Sequence, residues 1–195
     1  MRCLSASLLA LSLCLAAPAM AQNAVHKLPA PDTAGGMPLM QALAQRHTTR
    51  SFSPTPLDDA TLGNLLWAAW GQNRPDGKRT APSARNKQNL KVYVNKQDGL
   101  WLYDAAAHGL ERVAAAPLGS PLDDAPVVLI FAVPKDDPYG DMHVGSVYQN
   151  VGLFCASAGL GNVVKASTTR DAARFSFLPE GWKAAATQSV GRPRS

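Results

Sequence analysis

Hydrophobic residues recur every three or four positions in three segments, and this spacing predicts three main helices. The first covers residues 37–46. The second begins after Asp58 or Asp59, either of which can cap it, and runs to about Trp70. The third and longest covers residues 142–158 and ends at a glycine-rich turn.

Other segments alternate between apolar and polar residues or are continuously apolar, which predicts strands. Residues 90–95 and 100–103 flank an Asp98-Gly99 turn and predict a hairpin. Residues 127–133 form an apolar run of the kind that is buried on both faces of a sheet. Shorter strands are predicted at residues 110–113, 162–166 and 187–190. This mixture of hairpins and helices predicts an α+β fold.

The first 21 residues have the pattern of a secretory signal peptide. Arg2 precedes an apolar run over residues 4–17, and Ala19-Met20-Ala21 supplies a cleavage motif. We therefore expect residues 1–21 to be removed and the protein to be periplasmic or secreted. A lipoprotein signal ending at Cys14 is the alternative.

Composition limits the remaining possibilities. Of 195 residues, 46% are hydrophobic and 17% are charged, which indicates a folded chain with one core. We assign residues 22–36 to an N-terminal arm or linker and residues 37–195 to a single domain.

A net charge of +5 is too small and scattered to predict a nucleic-acid partner. No membrane span is expected after cleavage of the signal, and no metal site is predicted, since the histidines and cysteines lack ligand spacing.

A cluster of polar residues follows the first predicted helix. It supplies two fixed cations, an imidazole and two hydroxyls within five positions: Arg46, His47, Thr48, Thr49 and Arg50. Guanidinium groups bind phosphate oxygens through charge-assisted hydrogen bonds, so the cluster is a candidate anion site. From the residues alone, cations that suit the dipole of a helix C-terminus are the alternative.

Four segments, in order, resemble motifs of the FMN-dependent nitroreductase family. Residues 46–52 (RHTTRSF) resemble its opening motif, and residues 82–88 (PSARNKQ) resemble its P-S-x-x-N-x-Q motif. Residues 149–161 are similar to its central helix and turn, and residues 178–193 to its closing strand. The segment around residues 65–84 is most similar to the branch that includes peptide azoline dehydrogenases.

The resemblance implies a nitroreductase-like three-layer α/β/α sandwich with a mainly antiparallel central sheet. It also implies a cofactor site for FMN. Residues that would hold the phosphate and ribityl chain are Arg46, Thr48 and Arg50, with His47 beside them. Residues that would meet the flavin, in the family often from the opposite subunit, are Pro82, Ser83, Asn86 and Gln88. A late phosphate-binding basic residue is matched by Arg192 or Arg194.

The resemblance further implies an exported FMN-dependent oxidoreductase. Hydride would pass between flavin N5 and a flat organic substrate, which could be nitroaromatic, quinone or azoline-like. We expect a homodimer, with NAD(P)H or another molecule as electron donor, and assign no catalytic acid or base. The alternative function is a non-catalytic periplasmic protein that binds flavin or another small molecule. The aromatic residues at helical or strand spacing are interpreted as packing residues, namely Trp67, Trp70, Trp101 and Tyr148.

Overall fold

A seven-stranded antiparallel sheet organises the chain in a computed structural model that describes residues 25–119 and 125–194. The predicted signal peptide lies outside these described residues. The order of strands across the sheet is β1-β4-β3-β2-β5-β7-β6. In chain order the strands are β1 His26–Lys27, β2 Lys91–Lys96, β3 Gly99–Asp104, β4 Gly109–Ala114, β5 Val127–Pro134, β6 Gly161–Lys165 and β7 Trp182–Gly191.

Three α-helices are found in the described residues, and all three were predicted. They are α1 Leu39–Gln45, α2 Asp59–Trp70 and α3 Gly140–Ser157. Asp58 caps α2, because its carboxylate accepts the Thr61 N–H at 2.7 Å, and this bond is the main cause of a lowered Asp58 pKa. Short 3₁₀ turns lie at Ala84–Asn86, Ser167–Arg170 and Ala172–Phe175.

The sheet is covered on both faces, which confirms the predicted α+β sandwich and its antiparallel sheet. On one face, Leu65 of α2 and Val147 and Val151 of α3 share a buried core with Leu129 and Phe131 of β5. On the other face, Tyr93 and Ile130 are covered by a segment that begins with the last 3₁₀ turn, including Phe175 and Phe177. The second outer layer is therefore built from short turns, since no α-helix of the described residues packs there.

Two strands differ from the sequence prediction. Strand β7 is ten residues long, although only residues 187–190 were predicted, because a run of three alanines hides its alternation. Its full length is set by pairing with β5 from Val127↔Val190 to Pro134↔Trp182. Strand β1 was not predicted, and it attaches the N-terminal arm to β4 through two residue pairs.

The predicted packing roles hold for some of the aromatic residues only. Trp70 and Trp101 are buried and Trp67 is half-buried, but Tyr148 is exposed on α3. Cys155 is buried as predicted, and burial raises the pKa of its thiol. In the part of the chain that the structure describes, no helix is both long and apolar enough to cross a membrane.

Candidate functional site

Residues 46–50, here called the cation segment, leave α1 and cross the C-terminal half of α3. Arg46 ends α1 by donating its N–H to the Ala42 carbonyl at 2.9 Å. Its stem lies over Gly152, where a β-carbon would come within 3.5 Å of Arg46 Cδ. Further along, the Thr49 N–H donates to the Asn162 carbonyl at 2.9 Å. The segment is thus fixed by its backbone, and not by the groups predicted to bind a ligand.

The cations of this segment have no counter-ion among residues 25–119 and 125–194. Among the described residues, neither the Arg46 nor the Arg50 guanidinium forms a hydrogen bond or ion pair, and the Thr48 side chain is exposed. His47 uses Nδ1–H to donate to the Gln45 carbonyl at 2.8 Å, which leaves Nε2 as the free ring nitrogen. Two guanidinium groups and a hydroxyl are therefore available to an anion such as a phosphate, whereas Nε2 of the neutral His47 ring presents a lone pair.

Residues 192–194 lie beside the residues that follow the cation segment. Phe52 forms a bridge with Pro193, the Ser53 N–H donates to the Arg192 carbonyl, and the Arg194 N–H donates to the Ser51 carbonyl. The Arg192 side chain contributes to the lowered Asp58 pKa and lines a cavity of about 420 Å³ beside the N-terminal arm.

A second cavity of about 420 Å³ lies on the other side of the turn that precedes β6. His47 lines it together with Gly159, Asn162 and Pro193. The backbones of residues 51–53 and 192–194 are thus bonded to each other, but His47 and Arg192 line different cavities.

The P-S-x-x-N-x-Q segment, extended to residues 82–89 and here called the Asn86 loop, has an unusual backbone. Only four non-glycine residues among those described have a positive φ, and three of them are Arg85 (53°), Asn86 (52°) and Gln88 (48°). Left-handed backbone is unfavourable for such residues, and it persists where surrounding contacts enforce it, commonly at functional sites.

Hydrogen bonds inside the loop orient the Asn86 side chain. Gln88 Nε2 donates to Asn86 Oδ1 at 3.0 Å, and Gln88 Oε1 accepts from Arg79 Nε at 2.9 Å. The Ser83 hydroxyl accepts the Gln88 N–H at 3.1 Å. Gln88 and Ser83 are therefore occupied within the loop, whereas the exposed Asn86 amide nitrogen remains free to donate to a ligand.

The two segments lie at different ends of α3 in one chain. The cation segment packs at Gly152, whereas the Asn86 loop is bound by His143, nine positions earlier in the helix. That spacing corresponds to roughly 13 Å along a helix axis. The two segments, here called the half-sites, are therefore both held by α3.

Several supporting residues were not identified from the sequence. His143 and Asp137 bind the backbone and side chains of the Asn86 loop, and Arg79 holds Gln88. Gln188, fully buried on β7, donates to Asn162 Oδ1 at 2.9 Å beneath the cation segment. The one available signal was Gln188 itself, since a polar residue at an inward position of a strand needs a buried partner.

An antiparallel sandwich with these two segments packed against α3 is typical of the nitroreductase type. The model of the family described as "Nitroreductase family" matches residues 43–192, which is most of the chain. The chain therefore belongs to the nitroreductase family, and the family indicates flavin-dependent oxidoreduction.

Similar proteins with nitroreductase descriptions are consistent with this family assignment. The "Putative nitroreductase MJ1384" of Methanocaldococcus jannaschii is 32% identical over 151 residues, covering 64% of this chain and 76% of the relative. A crystal structure of a "putative nitroreductase" from Ralstonia eutropha is 38% identical, with a TM-score of 0.81 over 88% of this chain and 90% of the other. A nitroreductase with bound FMN from Bacteroides fragilis has 13% identity and a TM-score of 0.58, covering 80% of this chain and 88% of the other, and shares the fold.

Replacing Gly161 with alanine should displace the cation segment. A β-carbon at this position would lie 2.6 Å from Cβ and Cγ2 of Thr49, so Thr49 or strand β6 must move. We expect Gly161→Ala to lower the free energy of unfolding by about 1–3 kcal/mol, measured by denaturant titration. Gly119→Ala is the control, because its β-carbon would meet nothing within 4 Å. Equal stability of the two variants would show that Thr49 does not rest on Gly161.

Proposed function

We propose that this protein is an FMN-dependent oxidoreductase acting on a flat organic substrate such as a nitroaromatic, a quinone or an azoline. The observation that carries the proposal is the pair of guanidinium groups, on Arg46 and Arg50, that have no anionic partner among the described residues. Guanidinium groups without counter-ions, on a backbone that is itself held in place, are suited to a bound phosphate. The family supports FMN as the molecule that carries it.

The residues present fit FMN in their chemistry. Arg46, Arg50 and Thr48 offer donors to a phosphate and to hydroxyls, while the Asn86 amide nitrogen offers a donor to the acceptor atoms of a flavin ring. When bound, FMN supplies the two-electron chemistry, and the protein supplies binding and orientation. The loop hydrogen bonds from Gln88 hold the Asn86 amide in its donating orientation.

A homodimer is part of the proposal, and exposed apolar side chains support it. Five large apolar side chains on α1 and α3 are exposed: Leu39, Met40, Leu43, Met142 and Tyr148. Exposed apolar surface is commonly covered in protein–protein interfaces, and in the proposal a second copy covers Tyr148. A two-fold axis passing near Tyr148 would set α3 against its copy and bring Gly152 of one chain toward position 144 of the other. The cation segment of one chain would then lie near the Asn86 loop of its partner.

Export is also part of the proposal and rests on the signal-peptide pattern of residues 1–21. Outside the cytoplasm NAD(P)H is not expected to be plentiful. The proposal therefore includes a different electron donor, or a dehydrogenase direction in which the substrate itself reduces the flavin.

Loss of either arginine should weaken the binding of FMN selectively. A charge-assisted hydrogen bond contributes about 1.5–3 kcal/mol, so Arg46→Ala or Arg50→Ala should raise the Kd for FMN at least about tenfold. Riboflavin lacks the phosphate, and its Kd should change far less. Fluorescence titration of both flavins measures the difference, with Arg170→Ala as a control for an exposed arginine on a distant turn. An unchanged FMN affinity would refute the phosphate role.

Catalysis is tested separately from binding. Purified holoprotein should lose its flavin absorbance when reduced under anaerobic conditions and regain it when a nitroaromatic or quinone is added, with repeated turnover under excess reductant. Free FMN without protein, at the same concentration, is the control for reaction in solution. Flavin that is reduced but not reoxidised by any acceptor would instead support the non-catalytic binding protein.

A charge placed at the proposed two-fold axis should separate the subunits. Tyr148→Glu would put two carboxylates close together in the dimer, so we expect a monomer with weaker FMN binding. Val113→Glu is a matched control, since Val113 is 39% exposed and Tyr148 is 36% exposed. Sedimentation velocity and FMN titration measure both effects. A dimer that survives Tyr148→Glu would contradict the proposed axis.

A further inference from the structure

A buried histidine holds the Asn86 loop from the side of α3. His143 lies in the first turn of α3 and is 3% exposed. Its Nε2 accepts the backbone N–H of Ala84 at 2.8 Å, at the start of the 3₁₀ turn that carries Arg85 and Asn86. One imidazole lone pair is thus the anchor for the loop where its backbone turns left-handed.

A carboxylate beside this histidine holds the other end of the loop. Asp137 accepts from Lys87 Nζ at 3.2 Å and from Asn89 Nδ2 at 2.9 Å. Burial of the carboxyl acts to raise its pKa. Hydrogen bonds from Asn89, the Tyr139 N–H and Lys87 outweigh this effect and bring the pKa below its ordinary value, so Asp137 stays ionised. Its Oδ2 lies 3.7 Å from His143 Nδ1, which is buried and has no hydrogen-bond partner.

This arrangement dictates which ring nitrogen carries the proton. Because the Ala84 N–H is a donor, Nε2 must present a lone pair, and the neutral ring therefore carries its hydrogen on Nδ1. A second proton could bind only at Nε2. Two N–H groups would then face each other across 2.8 Å, and the anchor to Ala84 would be lost. The same proton would strengthen the attraction between the ring and Asp137.

We propose that His143 is a positioning residue for the cofactor, holding the Asn86 loop in its binding geometry only as the neutral imidazole, so that protonation of His143 weakens FMN binding. The inference rests on the proposed function, because it takes the Asn86 loop to contact FMN. His143 acts through the Ala84 N–H and touches no ligand itself.

The groups around the ring define what else titrates there. Asp137 and Lys87 come from the loops on either side, and the Tyr139 ring lies 6.4 Å from the imidazole at the start of α3. Asp141, in the same helical turn, is exposed and pairs with Lys183 at 3.1 Å. Histidine is the side-chain type in this cluster that is suited to changing its charge between pH 5 and 8.

The test compares two replacements of His143 across pH. Glutamine can place an oxygen where Nε2 stood and cannot be protonated, whereas phenylalanine removes the acceptor. At pH 8 we expect His143→Gln to bind FMN about as wild type does and His143→Phe to bind about tenfold more weakly, since the Ala84 N–H is then buried without a partner. Below pH 6 the wild-type Kd should rise toward that of His143→Phe, while the Kd of His143→Gln should remain lower than both.

The readout is the ratio of wild-type to His143→Gln Kd at each pH, because pH effects that both proteins share, such as titration of the FMN phosphate, cancel in that ratio. His26→Gln is the control, since His26 is exposed and pairs with Asp59 away from the loop. Its ratio to wild type should not vary with pH. A constant wild-type to His143→Gln ratio, or equal weakening by glutamine and phenylalanine, would overturn the proposal.

A second measurement needs no cofactor and separates the two proposals. Nitrogen-15 NMR of the imidazole should show the Nδ1-protonated tautomer of His143 at pH 8, and the Ala84 amide should shift as the ring titrates. An Nε2-protonated tautomer, or an Ala84 amide shift that does not change with pH, would contradict the hydrogen bond from Ala84 to His143 Nε2 as the anchor of the loop. The expected NMR result without FMN binding to any variant would retain the anchor and refute the proposed function.

Discussion

The packing of α3 against the central sheet is the contact on which the candidate site depends. Val144, Val147 and Val151 are buried against β5 and β7, and this apolar stripe fixes the helix in rotation as well as position. Both ligand segments are then defined by where they meet the helix. Gly152 admits the stem of Arg46 at one end, and His143 accepts from the Asn86 loop at the other. A rotation of α3 would therefore displace both half-sites together.

Each half-site is held by groups that a ligand does not need. The cation segment is fixed through the backbone bond from Thr49 to β6, and the residues that follow it bond to the backbone of residues 192–194. Its guanidinium groups therefore keep no partner among the described residues. The Asn86 loop is fixed through Gln88, His143 and Asp137, and its left-handed residues are unfavourable unless these bonds are made. Rigid support and free donors are the two properties that reduce the ordering cost of binding.

Much of this architecture follows from the sequence, and the exceptions have physical reasons. Helices α2 and α3 and the buried strand β5 can be predicted because their apolar positions match what they bury. Helix α1 was predicted from the same kind of spacing, although Leu39, Met40 and Leu43 are exposed. The length of β7 is not visible, because its alanines carry no alternation and its neighbour β5 sets its extent. The motifs locate Arg46 and Asn86, but they give no indication of His143, since a single histidine in an apolar helix has no spacing to mark it. Its role arises only when the chain folds Ala84 onto it.

Tyr148 shows why helical spacing alone misassigned one residue. It lies one position after Val147, at the edge of the buried stripe, and the prediction counted it as packing within the chain. In the structure it is exposed between the two half-sites, on the same helix as Met142. In the proposed homodimer, the packing partner of this aromatic side chain would belong to a second copy, and a two-fold axis there would complete each site from two chains. The apparent exception in the core pattern and the separation of the half-sites then have one cause.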